Sequence, residues 1–304
     1  MTARTNTEIY RPFRGSLGGT AFSFMALAGA GISAATRKKL PMVILFAPPA
    51  IATVIFSFVV YARFSLEAGL TPSALGGASP ATAIAAGFAR TMIDVRQQIV
   101  VFHLLMSLFT LLVIAWFGAG LIAEDRRLGA HLLYFTRPLS TTRYMLGKFL
   151  TLFFFAGIVV ITPGLVICTI AAFASPDWSF LKQEGQIVHE SILFGALWAA
   201  VWSSVMLAIS SLFERKTFAL VASFAFFALS TAVSVVLANL QEDDRFLMIS
   251  LQGNFQRIAG WTFDMPSMGI EEWPAGYSFA IILGTTAVAW AVLYARVRRM
   301  EAAA

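Results

Sequence analysis

The chain alternates long apolar runs with short polar segments. Six of these runs approach the ~20 residues that a helix needs to cross a bilayer. They cover residues 42–62, 99–123, 149–173, 192–213, 218–237 and 277–295. The runs lack the two-residue alternation of a membrane barrel, and unsatisfied backbone groups are costly in lipid. The pattern therefore predicts an all-α integral membrane protein with six transmembrane helices.

The composition supports lipid as the solvent and excludes several function classes. Only 12% of the residues are charged, against about 25% in soluble domains. Cys168 is the only cysteine, and the three histidines show no His-x-x-x-His or His-Glu-x-x-His spacing, so neither a disulfide framework nor a zinc site is expected. We predict no catalytic residues, no metal ligands and no enzymatic activity in this chain. The basic residues flank apolar runs and form no single patch, which disfavours nucleic acid as a partner.

The charged residues also predict an orientation. Alternate connecting segments hold 16 of the 22 Lys and Arg residues, and the remaining segments hold 11 of the 16 Asp and Glu residues. The positive-inside rule places the basic segments, and with them both termini, in the cytoplasm. We expect a multi-pass protein of the plasma membrane, which in a bacterium is the inner membrane.

The segment 17–35 is apolar but rich in Gly and Ala, and a basic triplet follows it. We interpret it as an amphipathic helix in the cytoplasmic interface, with Phe13, Phe22, Phe24 and Met25 as lipid contacts. A seventh crossing and a cleaved signal peptide are the alternatives. The predicted organisation is one transmembrane domain over 1–304, with a cytoplasmic tail and interfacial helix at 1–41, the six-span bundle at 42–295 and a tail at 296–304.

Three other features invite a functional reading. Residues 238–276 contain an apolar set with helical recurrence, which predicts a short helix at the outer interface with Trp261 and Trp273 in an aromatic belt, or else a plain loop. His103 lies inside the second span, where it is either a proton relay or a neutral histidine that is hydrogen-bonded to a neighbouring helix.

Pro163 and Gly164 interrupt the third span. The resulting kink either acts as a hinge or serves only the packing of the helices.

The segment 124–148 connects the second and third runs and carries the most informative motif. Leu128, Leu132 and Leu133 are spaced to line one side of a short helix, Arg126, Arg127 and His131 lie largely elsewhere, and Pro138 ends it. By the charge count this helix is cytoplasmic. A short, two-faced helix in that position predicts a docking element for a partner protein.

This segment resembles the loop after the second span in the membrane subunits of type-2 ABC exporters. The matching residues are Glu124, Arg126, Arg127, Gly129, Leu132, Leu133, Pro138, Ser140 and Leu146-Gly147-Lys148. The motif covers about 25 residues, and the layout of an interfacial helix followed by six spans covers nearly the whole chain. Ala130-His131-Leu132 departs from the Thr-Leu-Glu-like turn that is usual after the glycine, which leaves open which side chains touch the partner.

The resemblance implies a role for this segment as the coupling helix that contacts a separate ABC ATPase subunit. The implied contact residues are Glu124, Arg126, Arg127, Leu128, Gly129, His131, Leu132, Leu133, Arg137 and Pro138. Glu214 and Arg215, in the short loop before the fifth span, are a second contact or simply anchor the topology. The family also implies a dimer with a second copy or a related permease, in membrane lipid.

The energy source is expected in another polypeptide. The chain has no Gly-x-x-x-x-Gly-Lys-Ser/Thr loop to cradle phosphates, so no cofactor is expected in it, and ATP and Mg²⁺ belong to the partner. The function that follows is the permease subunit of an ATP-driven exporter. A secondary transporter is disfavoured by the scarcity of ionisable residues within the spans, and a non-transporting membrane anchor or scaffold remains the other alternative.

Overall fold

The computed structural model describes residues 22–69, 94–135, 139–265 and 273–302, and within them every regular element is a helix. A short helix α1 (Ser23–Thr36) precedes six long ones. The long helices are α2 (Lys39–Gly69), α3 (Val95–Arg127), α5 (Thr141–Ala174), α7 (Gln186–Leu212), α8 (Lys216–Gln241) and α10 (Ala275–Ala302). Each is long and apolar enough to cross a membrane. The six predicted spans are therefore confirmed.

Besides the 3₁₀ helices Pro176–Trp178 and Asp244–Ile249, three short α-helices lie in the described connections. They are α4 (Ala130–Phe135) between α3 and α5, α6 (Ser179–Glu184) before α7, and α9 (Leu251–Thr262) between α8 and α10. The last confirms the short helix predicted in residues 238–276. Its first turn is capped by the Ser250 hydroxyl, which accepts from the Gly253 N–H at 3.0 Å.

The spans form a central group and a peripheral group. In the most apolar stretch of α3, α5 and α7, 61, 50 and 67% of the residues are buried, against 17, 6 and 22% in α2, α8 and α10. Large side chains such as Phe102, Trp198 and Phe255 are fully buried in the core. The peripheral helices therefore expose most of their apolar side chains to lipid or to another protein.

Helix α1 packs along the first half of α5. The Thr151 hydroxyl reaches the Ala28 carbonyl at 3.4 Å, and a side chain at Gly147 would collide with Leu27 and the Phe24 carbonyl. The motif glycine therefore gives α1 room to approach. The described helix has 14 residues, or roughly 21 Å at 1.5 Å per residue, which is less than the ~30 Å of hydrocarbon in a bilayer.

The exposed side of α1 partly matches the predicted lipid contacts. Phe22 and Met25 are exposed, whereas Phe24 is half-buried. Phe13 lies outside the described residues. Helix α1 is thus a short apolar helix held by α5, with two of the expected apolar side chains free to meet lipid.

The two ends of the bundle differ in charge. We call the end that carries Lys38, Arg126, Lys148, Arg215 and Lys216 the basic end. At the opposite end, Arg96 connects several segments. Its guanidinium contacts Glu184 (3.0 Å), Glu190 (3.4 Å) and the Phe263 carbonyl (2.7 Å). Arg96 thereby links the starts of α3 and α7 to the end of α9. Here Trp261 is exposed, but Trp273 is buried and donates to Ser278 at 2.8 Å, so Trp273 is not part of an exposed aromatic belt.

Candidate functional site

The predicted docking segment begins where α3 ends, and glycine geometry sets the turn. Leu128 caps α3, and Gly129 follows with φ = +67°, a left-handed conformation that costs glycine little and other residues more. The chain then reverses into α4. Arg137 and Pro138 lie outside the described residues, as do the side chains of His131 and Leu133.

Arg126 connects the two segments that the sequence nominated separately. Its guanidinium donates to the carbonyls of Ser211 (2.9 Å) and Phe213 (3.4 Å) and pairs with Glu214 at 3.3 Å. The last carbonyls of a helix such as α7 have no partner within the helix, and a cation near them also complements the helix dipole. Arg126 therefore fixes the end of α3 against the end of α7 and brings the predicted first and second ATPase contacts together.

A buried ion pair lies on the other side of the same helix end. The Lys148 ammonium is 2.7 Å from the Asp125 carboxylate, and the two side chains are only 10% and 14% exposed. The Tyr144 hydroxyl also donates to Asp125 at 2.7 Å. These contacts attach the end of α3 to the start of α5.

Tyr134 extends this cluster to α4. The Lys148 ammonium lies 5.7 Å from the centre of the Tyr134 ring and 5.5 Å from that of Tyr144, within the range of cation–π attraction. Partial burial and the negative charge of Asp125 raise the pKa of Tyr134, which keeps its hydroxyl protonated. Tyr134 thus places α4 in contact with the first turns of α5.

Several other described side chains of this end are exposed. Leu128 is 70% exposed and Leu132 is 41% exposed, and Arg127 and Arg215 are exposed as well. Exposed leucines beside arginines give an apolar surface with a basic rim, which suits a protein partner. Among the described residues, no group of three or more His, Cys, Asp or Glu side chains is arranged to hold a metal.

Comparison with known families decides which class of protein carries this site. A family model described as "ABC-2 family transporter protein" matches residues 81–261. The match covers more than half of the chain and includes α3 to α8 and nearly all of α9. The chain belongs to the ABC-2 transporter family. A search among curated proteins found no relative.

Family membership makes this ABC-2 protein a multi-pass membrane component of a transporter, with a permease role. The matched region holds both segments that Arg126 joins, the buried Asp125–Lys148 pair and the third span. Sequence reasoning missed Asp125 as a site residue. The signal was available in the acidic residue that directly precedes Arg126 and in the motif lysine Lys148, but their pairing depends on the tertiary structure.

The third span of the ABC-2 protein contains the predicted hinge residues, both of them buried. A side chain at Gly164 would meet the Ser191 hydroxyl at 2.6 Å and the His103 ring at 3.2 Å. His103 and Ser191 are themselves hydrogen-bonded at 2.7 Å, so His103 is bonded to a neighbouring helix. Gly164 therefore permits three spans to pack closely. A hinge at Pro163 stays a prediction.

We expect Gly164→Ala to lower the free energy of unfolding of the purified protein by about 1–3 kcal/mol, because overpacking displaces neighbouring side chains. Gly157→Ala is the matched control on the same helix, since its new side chain would meet only Ile161 at 3.5 Å. Thermal unfolding in detergent measures both variants. Equal stability of the two would contradict the close-packing role of Gly164.

Proposed function

We propose that this ABC-2 protein is the permease subunit of an ATP-driven exporter, working as a dimer with separate ATPase subunits. The observation that carries the proposal is the position of Arg126. This residue binds the end of α7 and Glu214, so that both predicted ATPase contacts lie on one surface beside α4. Family membership supports the permease role, and the arrangement at the basic end supports the coupling to an ATPase.

The contacts suggest how force would travel. An ATPase that closes on nucleotide would push on α4 and on the Arg126–Glu214 ion pair at the same time. Tyr134, Lys148 and Asp125 would pass the displacement of α4 into α5, and Arg126 would pass it into α7. Because α3, α5 and α7 are the central spans, a shift at this end would change the packing of the whole core.

Affinity purification of the full chain from its native membranes tests the proposal. We expect a separate subunit with a phosphate-binding Gly-x-x-x-x-Gly-Lys-Ser/Thr loop to co-purify, and the complex to hydrolyse ATP with Mg²⁺. Transport that depends on a proton or sodium gradient without such a subunit would favour a secondary transporter instead. Absence of both activities would favour a membrane scaffold.

The proposal requires the basic end to face the cytoplasm. The chain offers a simple test because its only cysteine, Cys168, is buried. In a Cys168→Ser background, we expect Ile249→Cys to react with a membrane-impermeant maleimide on intact spheroplasts. We expect Leu128→Cys to react only after permeabilisation, since both positions are exposed but lie at opposite ends. The reverse pattern would overturn the orientation and the ATPase contact together.

A further inference from the structure

A pocket opens at the basic end between α1 and α3. Its volume is about 440 Å³. Residues from α1, α3 and the starts of α5 and α8 line it, together with Tyr134 of α4. The proposed transport mechanism uses three of the lining residues, Asp125, Tyr134 and Lys148, but assigns no role to the cavity itself.

Among the described residues that line the pocket, the positive charges outnumber the negative ones. Lysines 38, 148 and 216 line it together with Glu124 and Asp125. Asp125 neutralises Lys148 at 2.7 Å. Within the described part of the chain, neither Lys38 nor Lys216 has an acidic group within ion-pair distance, and Glu124 is the remaining acidic residue that lines the pocket. Two lysines and one glutamate therefore leave one excess positive charge.

The wall beyond the lysines is apolar. Trp116 and Phe117 line the pocket about two turns before Glu124 on α3, roughly 12 Å further toward the middle of the span at 1.5 Å per residue. Leu27 and Ala30 of α1 face them. The Lys216 ammonium lies 4.6 Å from the centre of the Trp116 ring, so the cationic part and the apolar part of the pocket meet at this contact.

We propose that this pocket binds an anionic phospholipid, with the phosphate between Lys38 and Lys216 and an acyl chain along Trp116 and Phe117. Basic pockets between spans at the cytoplasmic side are suited to anionic headgroups. A free phosphate compound would satisfy the lysines but leave the apolar wall empty, whereas a phospholipid matches both parts. Lipid binding requires only a bilayer and does not depend on the proposed coupling to an ATPase, although the pocket shares Asp125, Tyr134 and Lys148 with that pathway.

Trp116 provides a direct probe of occupancy. The full-length protein is reconstituted in vesicles that contain phosphatidylcholine or phosphatidylglycerol with brominated acyl chains, and tryptophan fluorescence is recorded. Subtracting the signal of a Trp116→Phe variant isolates the quenching of Trp116 from that of the six other tryptophans. We expect brominated phosphatidylglycerol to reach half-maximal quenching at an about fivefold lower lipid fraction than brominated phosphatidylcholine. A factor of this size is the effect of one cation near an anionic headgroup.

Two matched double variants test whether the preference for phosphatidylglycerol comes from the lysines that line the pocket. Lys38→Gln with Lys216→Gln should abolish the preference for phosphatidylglycerol. Lys39→Gln with Arg215→Gln should keep it, because these neighbouring residues are exposed and do not line the pocket, although the same charge is removed from the same two segments. Should the first double variant fail to fold, Glu124→Gln serves instead and should raise the preference about fivefold.

Four results would overturn the proposal. The first is equal quenching by the two brominated lipids, and the second is equal loss of preference in both double variants. The third is an absence of quenching by either lipid, which would mean that another part of the chain fills the pocket. The fourth is loss of the preference on adding inorganic phosphate in place of chloride at constant ionic strength, which would identify a soluble phosphate compound as the occupant.

Discussion

Replacing Asp125 by Ala is expected to destabilise the protein by about 3–5 kcal/mol, the cost of leaving one member of a buried ion pair without its partner. The Lys148 side chain is only 10% exposed, so water compensates only a small part of the lost interaction with the carboxylate. Tyr144 would lose a hydrogen bond at the same time. Unfolding of the purified protein in detergent, followed by circular dichroism as temperature rises, measures the loss.

We attribute the loss of stability to the unpaired charge of Lys148. A variant that lacks both charges separates this effect from a change in packing. Asp125→Asn combined with Lys148→Met removes both charges and leaves an acceptor for the Tyr144 hydroxyl, so this double variant should recover most of the stability. Glu214→Gln breaks the ion pair with Arg126, in which Glu214 is 73% exposed, and should change stability by no more than about 1 kcal/mol. A loss for Asp125→Ala no larger than that of Glu214→Gln would contradict the buried pair.

The spans were predictable because lipid imposes a simple rule on the sequence. Hydrocarbon accepts only apolar segments that satisfy their own backbone, so each crossing has to be a continuous apolar run. Five of the six runs lie wholly within the long helices of the structure, and the run 192–213 passes the end of α7 by one residue. The short helix after α8 was predictable for a similar reason, since its apolar residues recur at helical spacing and the Ser250 hydroxyl caps it.

The arrangement of the spans was not predictable from hydropathy. The most apolar stretches of α7 and α8 are both strongly apolar, yet 67% of the first and 6% of the second are buried. Lipid tails are as apolar as leucine side chains, so hydropathy does not distinguish a helix that faces protein from one that faces lipid. For the same reason the sequence did not indicate that Trp273 is buried.

The candidate site was predictable in its parts and not in its connections. The motif nominated Arg126, and the short loop before the fifth span nominated Glu214, but the two residues lie 88 positions apart and meet only because α3 and α7 end side by side. Asp125 and Lys148 meet because the turn at Gly129 reverses the chain toward the start of α5. Such contacts depend on how helices pack, and local spacing does not encode them.

The exposed leucines of the docking segment are predicted to contact the ATPase subunit. Leu128→Asp combined with Leu132→Asp should weaken binding of the co-purified ATPase subunit about 100-fold or more. Burying a leucine contributes at least about 1.5 kcal/mol, and two such contacts correspond to a factor of that size. Both side chains are exposed in the isolated chain, so the substitutions should leave its folding and its thermal unfolding temperature unchanged.

A matched pair at the opposite end controls for the general effect of placing carboxylates on the surface. Leu181 and Ile249 are 40% and 53% exposed, close to the 41% and 70% of Leu132 and Leu128. Leu181→Asp with Ile249→Asp should therefore leave the affinity for the ATPase subunit unchanged, as titrated with purified components in detergent. Equal weakening by both double variants would mean that the ATPase binds elsewhere, because only the first pair lies beside Arg126 and α4, where the two predicted contacts meet.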